Sequence, residues 1–289
     1  MYSNVSIILP AKNESQGLAI LLPELTRLLP GAEILVVNDG SSDNTPMVCS
    51  ANAVQVRNHP YSMGNGAAVK TGARMAKGEI LVFMDADGQH QPDDVLRLLE
   101  KLAEGYDMAV GARSRVSQAG VHRAAANGLY NRLASWMVGQ SVKDLTSGFR
   151  AVNAAKFKRF LYLLPNQFSY PTTITMSFFR AGFLIAYVPI IAPKRIGKSH
   201  LQPWRDGMRF LLIIFKIGTL YSPLRIFFPI SLAFFGTALG YYLYTLIVDH
   251  RFTNMSALLF TTSVLVFLIG LVSEQITSLM HQSSGSSDE

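Results

Sequence analysis

Two stretches near the C-terminal end carry no charge at all: Ile226 to Val248, 23 residues, and Thr253 to Ser273, 21 residues. About 20 helical residues cross the ~30 Å hydrocarbon core of a bilayer, so each run is long enough to span. Asp249 to Arg251 between them supplies a polar turn, and the pair reads as a transmembrane hairpin. Two buried helices of a soluble core are the alternative, disfavoured because such long uncharged runs are rare outside bilayers. Composition points the same way: 16% of residues are charged and mean hydropathy is +0.24, against about a quarter charged in soluble domains. Disorder and collagen-like order are excluded. A single cysteine, Cys49, rules out an internal disulfide and a multi-thiolate zinc site, and fits a reducing compartment.

The formal charge is +7, and its position identifies the partner. Lys194, Arg195, Lys198, Arg205, Arg209, Lys216 and Arg225 face a single acid, Asp206, in the stretch before the first apolar run. This excess predicts that the approach to the membrane is cytoplasmic and touches anionic lipid, not nucleic acid. Met1 to Asn4 lacks a basic n-region and Val5 to Leu9 is too short for a signal-peptide core. The expectation is therefore a multi-pass protein of the inner, cytoplasmic membrane, with the large N-terminal domain and both termini, including the acidic Ser283 to Glu289 tail, on the cytoplasmic side. Met208 to Leu220 is apolar apart from Arg209 and Lys216. It reads as an interfacial helix, with a core helix as the other option.

Upstream, short β-branched runs alternate with helical patterns. Val5 to Leu9, Glu33 to Val37, Glu79 to Met84 and Met108 to Val110 read as buried strands. Gly17 to Leu29 (after Asn13 and Ser15 as caps), Asp43 to Ala51, Ala67 to Ala76 and the segment opened by Pro92-Asp93-Asp94 read as helices. The alternation predicts an α/β fold with a mostly parallel sheet covered on both faces, whose ligands gather at the strands' carboxyl ends. Three strands end in polar residues: Pro10 to Glu14, Asn38 to Ser41, and Asp85 to His90.

Asp85 and Asp87 are the sharpest of these. Two hard carboxylates with Gln89 nearby suit Mg²⁺ or Mn²⁺ shared with a diphosphate, although an acidic turn after a strand accounts for the same residues equally well. No second histidine stands at ligand spacing from His90, so an oxygen-only set is expected. Gly64-Asn65-Gly66 is not a dinucleotide fingerprint, because Val69 occupies the final glycine position. It reads as a loop that lets a backbone or an anionic ligand come close to a helix start.

Taken in order, PAKNE, VVNDGSSDNT, GNGAAVKTG, MDADGQH, GAR, DLTSGFR and RIGKS, followed by the hairpin, resemble the polyprenyl-phosphate glycosyltransferases related to dolichol-phosphate mannose synthase. These are inverting family-2 enzymes of GT-A fold, a Rossmann-like, mostly parallel architecture. The resemblance implies a metal cluster of Asp85, Asp87 and Gln89. It implies a donor pocket of Pro10, Ala11, Glu14, Asp39, Gly64, Gly66 and Asp85. Acceptor-phosphate contacts would come from Arg113, Arg123, Arg195 and Ser199, and Asp144, Ser147, Gly148 and Arg150 would sit beside the acceptor, with Asp87, Arg113 and Asp144 forming the catalytic group. Asn38, Asn65 and the order Lys198-Ser199-His200 depart from the common pattern. Expected domains are 1–204 (GT-A), 205–222 (interfacial helix), 223–280 (hairpin) and 281–289 (tail).

The implied reaction is metal-dependent, inverting transfer of a sugar from GDP-mannose, UDP-glucose or a UDP-N-acetylhexosamine to a dolichyl or undecaprenyl monophosphate. A phosphate monoester has a second pKa of about 6 and is mostly dianionic at pH 7, so no strong base is required. Asp144 is then a positioning group, while cation and arginine offset the charge of two approaching anions. A polyprenyl tail leaves the bilayer at about 0.8 kcal/mol per CH₂, which makes an anchored enzyme sensible. Two rivals stand: a processive polysaccharide synthase, which lacks support because neither Trp136 nor Trp204 completes a Q-x-x-R-W motif, and a catalytically silent nucleotide-sugar-binding scaffold.

Overall fold

The computed structural model describes residues 2–113, 121–167, 169–191, 208, 212, 215–216, 218–219 and 222–285, of which 121–126 and 280–285 are described in backbone only. It divides into two compact units, Met1–Ile214 and Phe215–Glu289.

In the first unit the described strands form one seven-stranded sheet. They are β1 (Val5–Ala11), β2 (Glu33–Asn38), β3 (Gln55–Asn58), β4 (Ile80–Phe83), β5 (Met108–Arg113), β6 (Arg150–Asn153) and β7 (Ile185–Ile190), ordered β3-β2-β1-β4-β6-β5-β7. Every neighbouring pair is parallel except those of β6, which runs against both β4 and β5. The helices are α1 (Ser15–Leu28), α2 (Thr45–Ala51), α3 (Asn65–Met75), α4 (Asp93–Ala103), α5 (Val121–Val138), α6 (Ala154–Lys158) and α7 (Tyr170–Arg180).

Alternate residues of each strand feed opposite cores, as the pleat requires. Val5, Ile7, Leu9, Val36, Val82 and Met84 pack with Leu18, Leu22 and Leu25 of α1 and with Val95 and Leu98 of α4. Ile8, Leu35, Leu81, Phe83 and Val110 pack with Val69 and Ala73 of α3 and with Ile174 and Phe178 of α7. Both faces are covered, which is why these strands read as unbroken apolar runs. From β1 the chain winds outward through β2 and β3, then crosses back so that β4 lies on the other side of β1. That reversal opens a crevice at the carboxyl ends of β1 and β4, where the polar segments Pro10 to Glu14 and Asp85 to Gln89 emerge.

The second unit is a pair of long helices, α8 (Pro223–Asp249) and α9 (Asn254–Gly285). Both are long and apolar enough to cross a membrane, and their most apolar stretches are only 17% buried. Such exposure is unlike that of core helices of a soluble domain, which are mostly buried. Where the two helices meet, aromatic pairs such as Phe228–Phe267 and Phe235–Phe260 alternate with small and polar residues. Ser231 and Ser263 each donate a 2.9 Å hydrogen bond to the other's backbone carbonyl, and Gly270 lies against Phe227. In lipid, close packing of small residues and paired hydroxyls hold helices together, because the hydrophobic effect contributes little between them. The expected interfacial helix at 208–220 falls largely outside the described residues; Met208, Leu212 and Phe215 within it are exposed.

The seam between α3 and the sheet yields a stability test. A methyl group at Gly72 would stand 2.4 Å from Ile8 Cγ2, and overpacking of this kind costs about 1–3 kcal/mol. Gly72→Ala should lower the thermal midpoint of the detergent-solubilised protein, while Gly31→Ala, whose glycine has no neighbour within 4 Å, should lose only what its positive φ of +88° costs.

Candidate active site

The chain leaves β4 through Met84 into the Asp85-Ala86-Asp87 turn. Met84 N–H still bonds to Ile8 C=O at 3.2 Å, which holds the start of this turn beside β1. The three side chains differ in exposure. Asp85 is 41% exposed and faces the crevice. Ala86 is buried, and its carbonyl lies so close to α1 that a methyl at Gly17 would be 2.1 Å away. Asp87 is buried at 7%, with Oδ1 accepting the Gln89 N–H at 3.1 Å. Among the described residues no group of three or more His, Cys, Asp or Glu side chains is placed to share a cation. A pair of carboxylates beside an amide is the donor set Mg²⁺ or Mn²⁺ takes when substrate phosphate oxygens complete its shell, so Asp85, Asp87 and Gln89 fit a metal bound together with a diphosphate.

Facing this turn are the end of β5 and the approach to β6. The antiparallel course of β6 returns residues 144–150 to the same edge of the sheet. Arg113, the last residue of β5, grips Asp144 in a fork: Nε to Oδ2 at 2.9 Å and Nη2 to Oδ1 at 3.0 Å. Its backbone N–H adds a third bond to Oδ2 at 3.2 Å, and Nη2 also reaches Thr146 Oγ1. Oδ1 further accepts from the N–H groups of Thr146 and Ser147 and from Thr146 Oγ1. Burial works against the Asp144 charge, but the guanidinium and these donors outweigh it and hold the carboxyl below its ordinary range. Burial likewise opposes the Arg113 charge, which Asp144 and, farther off, Asp85 sustain.

Arg150 lies beneath, 0% exposed. It donates to Ser147 C=O, to Thr175 Oγ1 at 3.1 Å and to Pro171 C=O at 3.4 Å, and its guanidinium sits 5.6 Å above the Tyr170 ring. Tyr170 in turn donates its hydroxyl to Gly148 C=O at 2.8 Å. Two buried side chains therefore fix the Ser147–Gly148 backbone, and that backbone closes on Asp85: a methyl at Gly148 would meet Asp85 Oδ2 at 3.3 Å. Arg150 was legible in the motif. Tyr170 was not, because nothing local marks a tyrosine at the start of a buried helix as part of a site.

The donor side departs from expectation. Pro10 and Ala11 end β1, and Glu14 precedes α1. Asp39, however, is 4% exposed and accepts from four donors: His59 Nδ1 and Met63 N–H on Oδ1, Ser62 Oγ and Gly64 N–H on Oδ2, all at 2.8–2.9 Å. Its carboxylate is committed to fastening the β3–α3 loop. Burial raises its pKa, but these hydrogen bonds prevail and hold it below the ordinary 3.8. The glycines of that loop lie against the chain's own backbone. A methyl at Gly66 would lie 2.0 Å from Pro165 C=O. The first amides of α3, on Gly66 and Ala67, already donate to Gln167 and Asn166 carbonyls. Two of the amides at this helix start, expected to face an anion, are thus engaged by the chain's own carbonyls. Asp43, absent from the expected set, joins the starts of α1 and α2 by accepting from Ser15 N–H, Thr45 N–H and Thr45 Oγ1. Arg123 lies on α5 with its side chain outside the described residues, as are Arg195, Lys198, Ser199 and His200 altogether.

Carboxylates thus follow β4 at a topological switch point, and an ion-paired arginine ends β5, two strands away on the same sheet. The chain belongs to glycosyl transferase family 2, whose family model matches residues 6–161, and residues 222–279 match the GtrB C-terminal hairpin. It is 27% identical to glycosyltransferase AglJ of Haloferax volcanii, over 95% of this chain and 94% of that protein. It is 28% identical to the polyprenol monophosphomannose synthase of Mycolicibacterium smegmatis, over 73% and 84% respectively. Glucosyl-3-phosphoglycerate synthase of Mycobacterium tuberculosis, solved with Mn²⁺, UDP and phosphoglyceric acid, shares the fold at TM-score 0.60 and 21% identity, over 74% of this chain and 78% of that one.

Because the folded-state pKa of Asp39 is depressed, the stability it contributes is present above about pH 4 and lost as pH falls through the folded value. Asp39→Asn should lower stability at pH 7 and flatten the decline below pH 4, as followed by urea unfolding at both pH values. An unchanged urea midpoint at pH 7 would show that the loop is not fastened in this way.

Proposed function

We propose that this glycosyltransferase moves a sugar from a nucleoside-diphosphate donor to a polyprenyl monophosphate anchored in the cytoplasmic leaflet, with inversion at the anomeric carbon. The observation that carries the reading is the fixed Arg113 fork, within electrostatic reach of Asp85, in a chain that ends in a membrane hairpin. The polyprenyl-phosphate product named for the mycobacterial relative and the Mn²⁺ in the solved synthase support the same reading.

Asp85, Asp87 and Gln89 would hold Mg²⁺ or Mn²⁺, which when bound neutralises charge on the departing diphosphate. Pro10, Ala11 and Glu14 would line the nucleoside side of the crevice, and Asp39, Gly64 and Gly66 would shape it by holding the adjacent loop. Arg113 would present its planar guanidinium to the acceptor phosphate, aided by Arg123, Arg195 and Ser199. One acceptor oxygen attacks the anomeric carbon as the bond to the nucleoside diphosphate breaks. No proton need be removed, because the acceptor is already dianionic at neutral pH. Asp144 has no room to take one: its two oxygens receive six hydrogen bonds from Arg113, Thr146 and Ser147. It is a positioning residue that keeps Arg113 charged and aimed.

The decisive assay incubates purified protein with undecaprenyl phosphate, Mg²⁺ or Mn²⁺, and GDP-mannose, UDP-glucose or UDP-N-acetylglucosamine, scoring lipid product by mass spectrometry. A single sugar on the lipid phosphate is expected. Polymer would instead indicate a processive synthase, and nucleotide-sugar binding without product would indicate a scaffold. Asp87→Ala should cost about 10²–10³ in rate, the usual effect of removing one electrostatic group.

A second prediction separates positioning from base catalysis. Asp144→Asn should reduce kcat/KM about 100-fold without changing the shape of the pH–rate profile, whose acidic limb near pH 6 belongs to the acceptor phosphate. Loss of that limb in the variant would make Asp144 the proton acceptor.

A further inference from the structure

His90 is buried, yet nothing in the mechanism above uses it. Its ring lies nearly parallel to that of Phe149, 16° between planes and 4.7 Å between centroids. Phe149 is itself fully buried next to Gly148, the residue whose backbone closes on Asp85. The Nε2 atom of His90 stands 3.5 Å from Asp85 Oδ2. The other ring nitrogen, Nδ1, is buried and has no hydrogen-bond partner among the described residues.

The two nitrogens are therefore not equivalent. A proton on Nδ1 would bury an unmatched donor and turn the Nε2 lone pair toward a carboxylate. A proton on Nε2 points at an acceptor and leaves only a weak acceptor unsatisfied, which is the less costly arrangement. We propose that His90 is a positioning residue for the cation site: its Nε2–H, set in place by the Phe149 stack, holds the Asp85 carboxylate in the orientation that meets a divalent cation. The inference rests on the metal reading given under Proposed function and extends it. In this arrangement His90 orients a ligand and is not itself one. Asp85 thus has two neighbours tied to one segment: His90, which leans on Phe149, and Gly148, one residue earlier, where a methyl group would come within 3.3 Å of the carboxylate. Donors that orient a metal-binding group in this way change affinity for the ion roughly 10- to 100-fold when removed.

The test is direct titration of full-length, detergent-solubilised protein with Mn²⁺ in the presence of UDP or GDP, following free Mn²⁺ by electron paramagnetic resonance. His90→Phe keeps an aromatic ring on Phe149 and removes the donor. It should weaken Mn²⁺ binding roughly 10- to 100-fold with the thermal midpoint of the metal-free protein unchanged. His90→Gln, which restores an N–H at similar reach, should recover most of the affinity. Wild-type Mn²⁺ affinity in His90→Phe, alongside loss of binding in Asp85→Ala, overturns the role of His90 and leaves the cation reading standing. Wild-type affinity in Asp85→Ala overturns the cation reading itself. If His90→Phe does not fold, His90→Asn, whose shorter amide cannot reach Asp85, is expected to show the same weakening, and normal binding by it overturns the proposal.

Discussion

The Arg113–Asp144 pair is the contact on which the arrangement of this site depends. The Asp144 side chain is 4% exposed, and a carboxylate so far from water is tolerable only when its lone pairs are filled. Here they are filled by a guanidinium from the end of β5 and by amides of the turn that leads toward β6. Removing one partner of such a buried pair leaves the other uncompensated, typically at a cost of 3–5 kcal/mol, so the two segments are bound to each other in a single geometry. The pair makes an aimed arginine out of a residue that would otherwise be a long, mobile cation on a sheet edge.

A second layer of constraint lies under the first. Arg150 and Tyr170 hold the Ser147–Gly148 backbone from below, and that backbone limits where Asp85 can go. The charge of Arg150 is disfavoured by burial, and its hydrogen bonds go to carbonyls, a hydroxyl and the Met108 sulfur. It serves as a rigid multi-donor peg whose value is geometric. On the far side of the crevice, Asp39 and the glycines of the β3–α3 loop do similar work. There a carboxylate and close-packed backbone set the position of a loop that residue types alone had suggested would contact a ligand.

The hairpin obeys different physics. Its outward residues are apolar, as a hydrocarbon surrounding would require, and its contact face combines Ser231, Ser263 and Gly270 with aromatic pairs such as Phe228–Phe267 and Phe235–Phe260. The first unit has the opposite composition, with leucine, isoleucine and valine inside. The two units thus bury their apolar residues in opposite ways, and the basic excess of residues 194–225 spans the division between them in the sequence.

Much of this was legible from local pattern. The two spans followed from run length, the parallel strands β1, β2, β4 and β5 from apolar runs that both faces bury, and the placement of Asp85 and Asp87 from their position just after β4. These are properties a segment carries with it, because periodicity and length fix which face must leave water. What the tertiary structure alone decided is who meets whom. Strands β3, β6 and β7 were not anticipated: β3 is a short, polar edge, and β6 owes its antiparallel place to two strands 40 and more residues earlier. The glycine loop receives Pro165–Gln167 from about 100 residues away, Asp39 is consumed by His59 and its neighbours, and His90 finds Phe149 across the sheet edge. Such pairings depend on how distant segments share the available space and lone pairs, and no local pattern encodes that outcome.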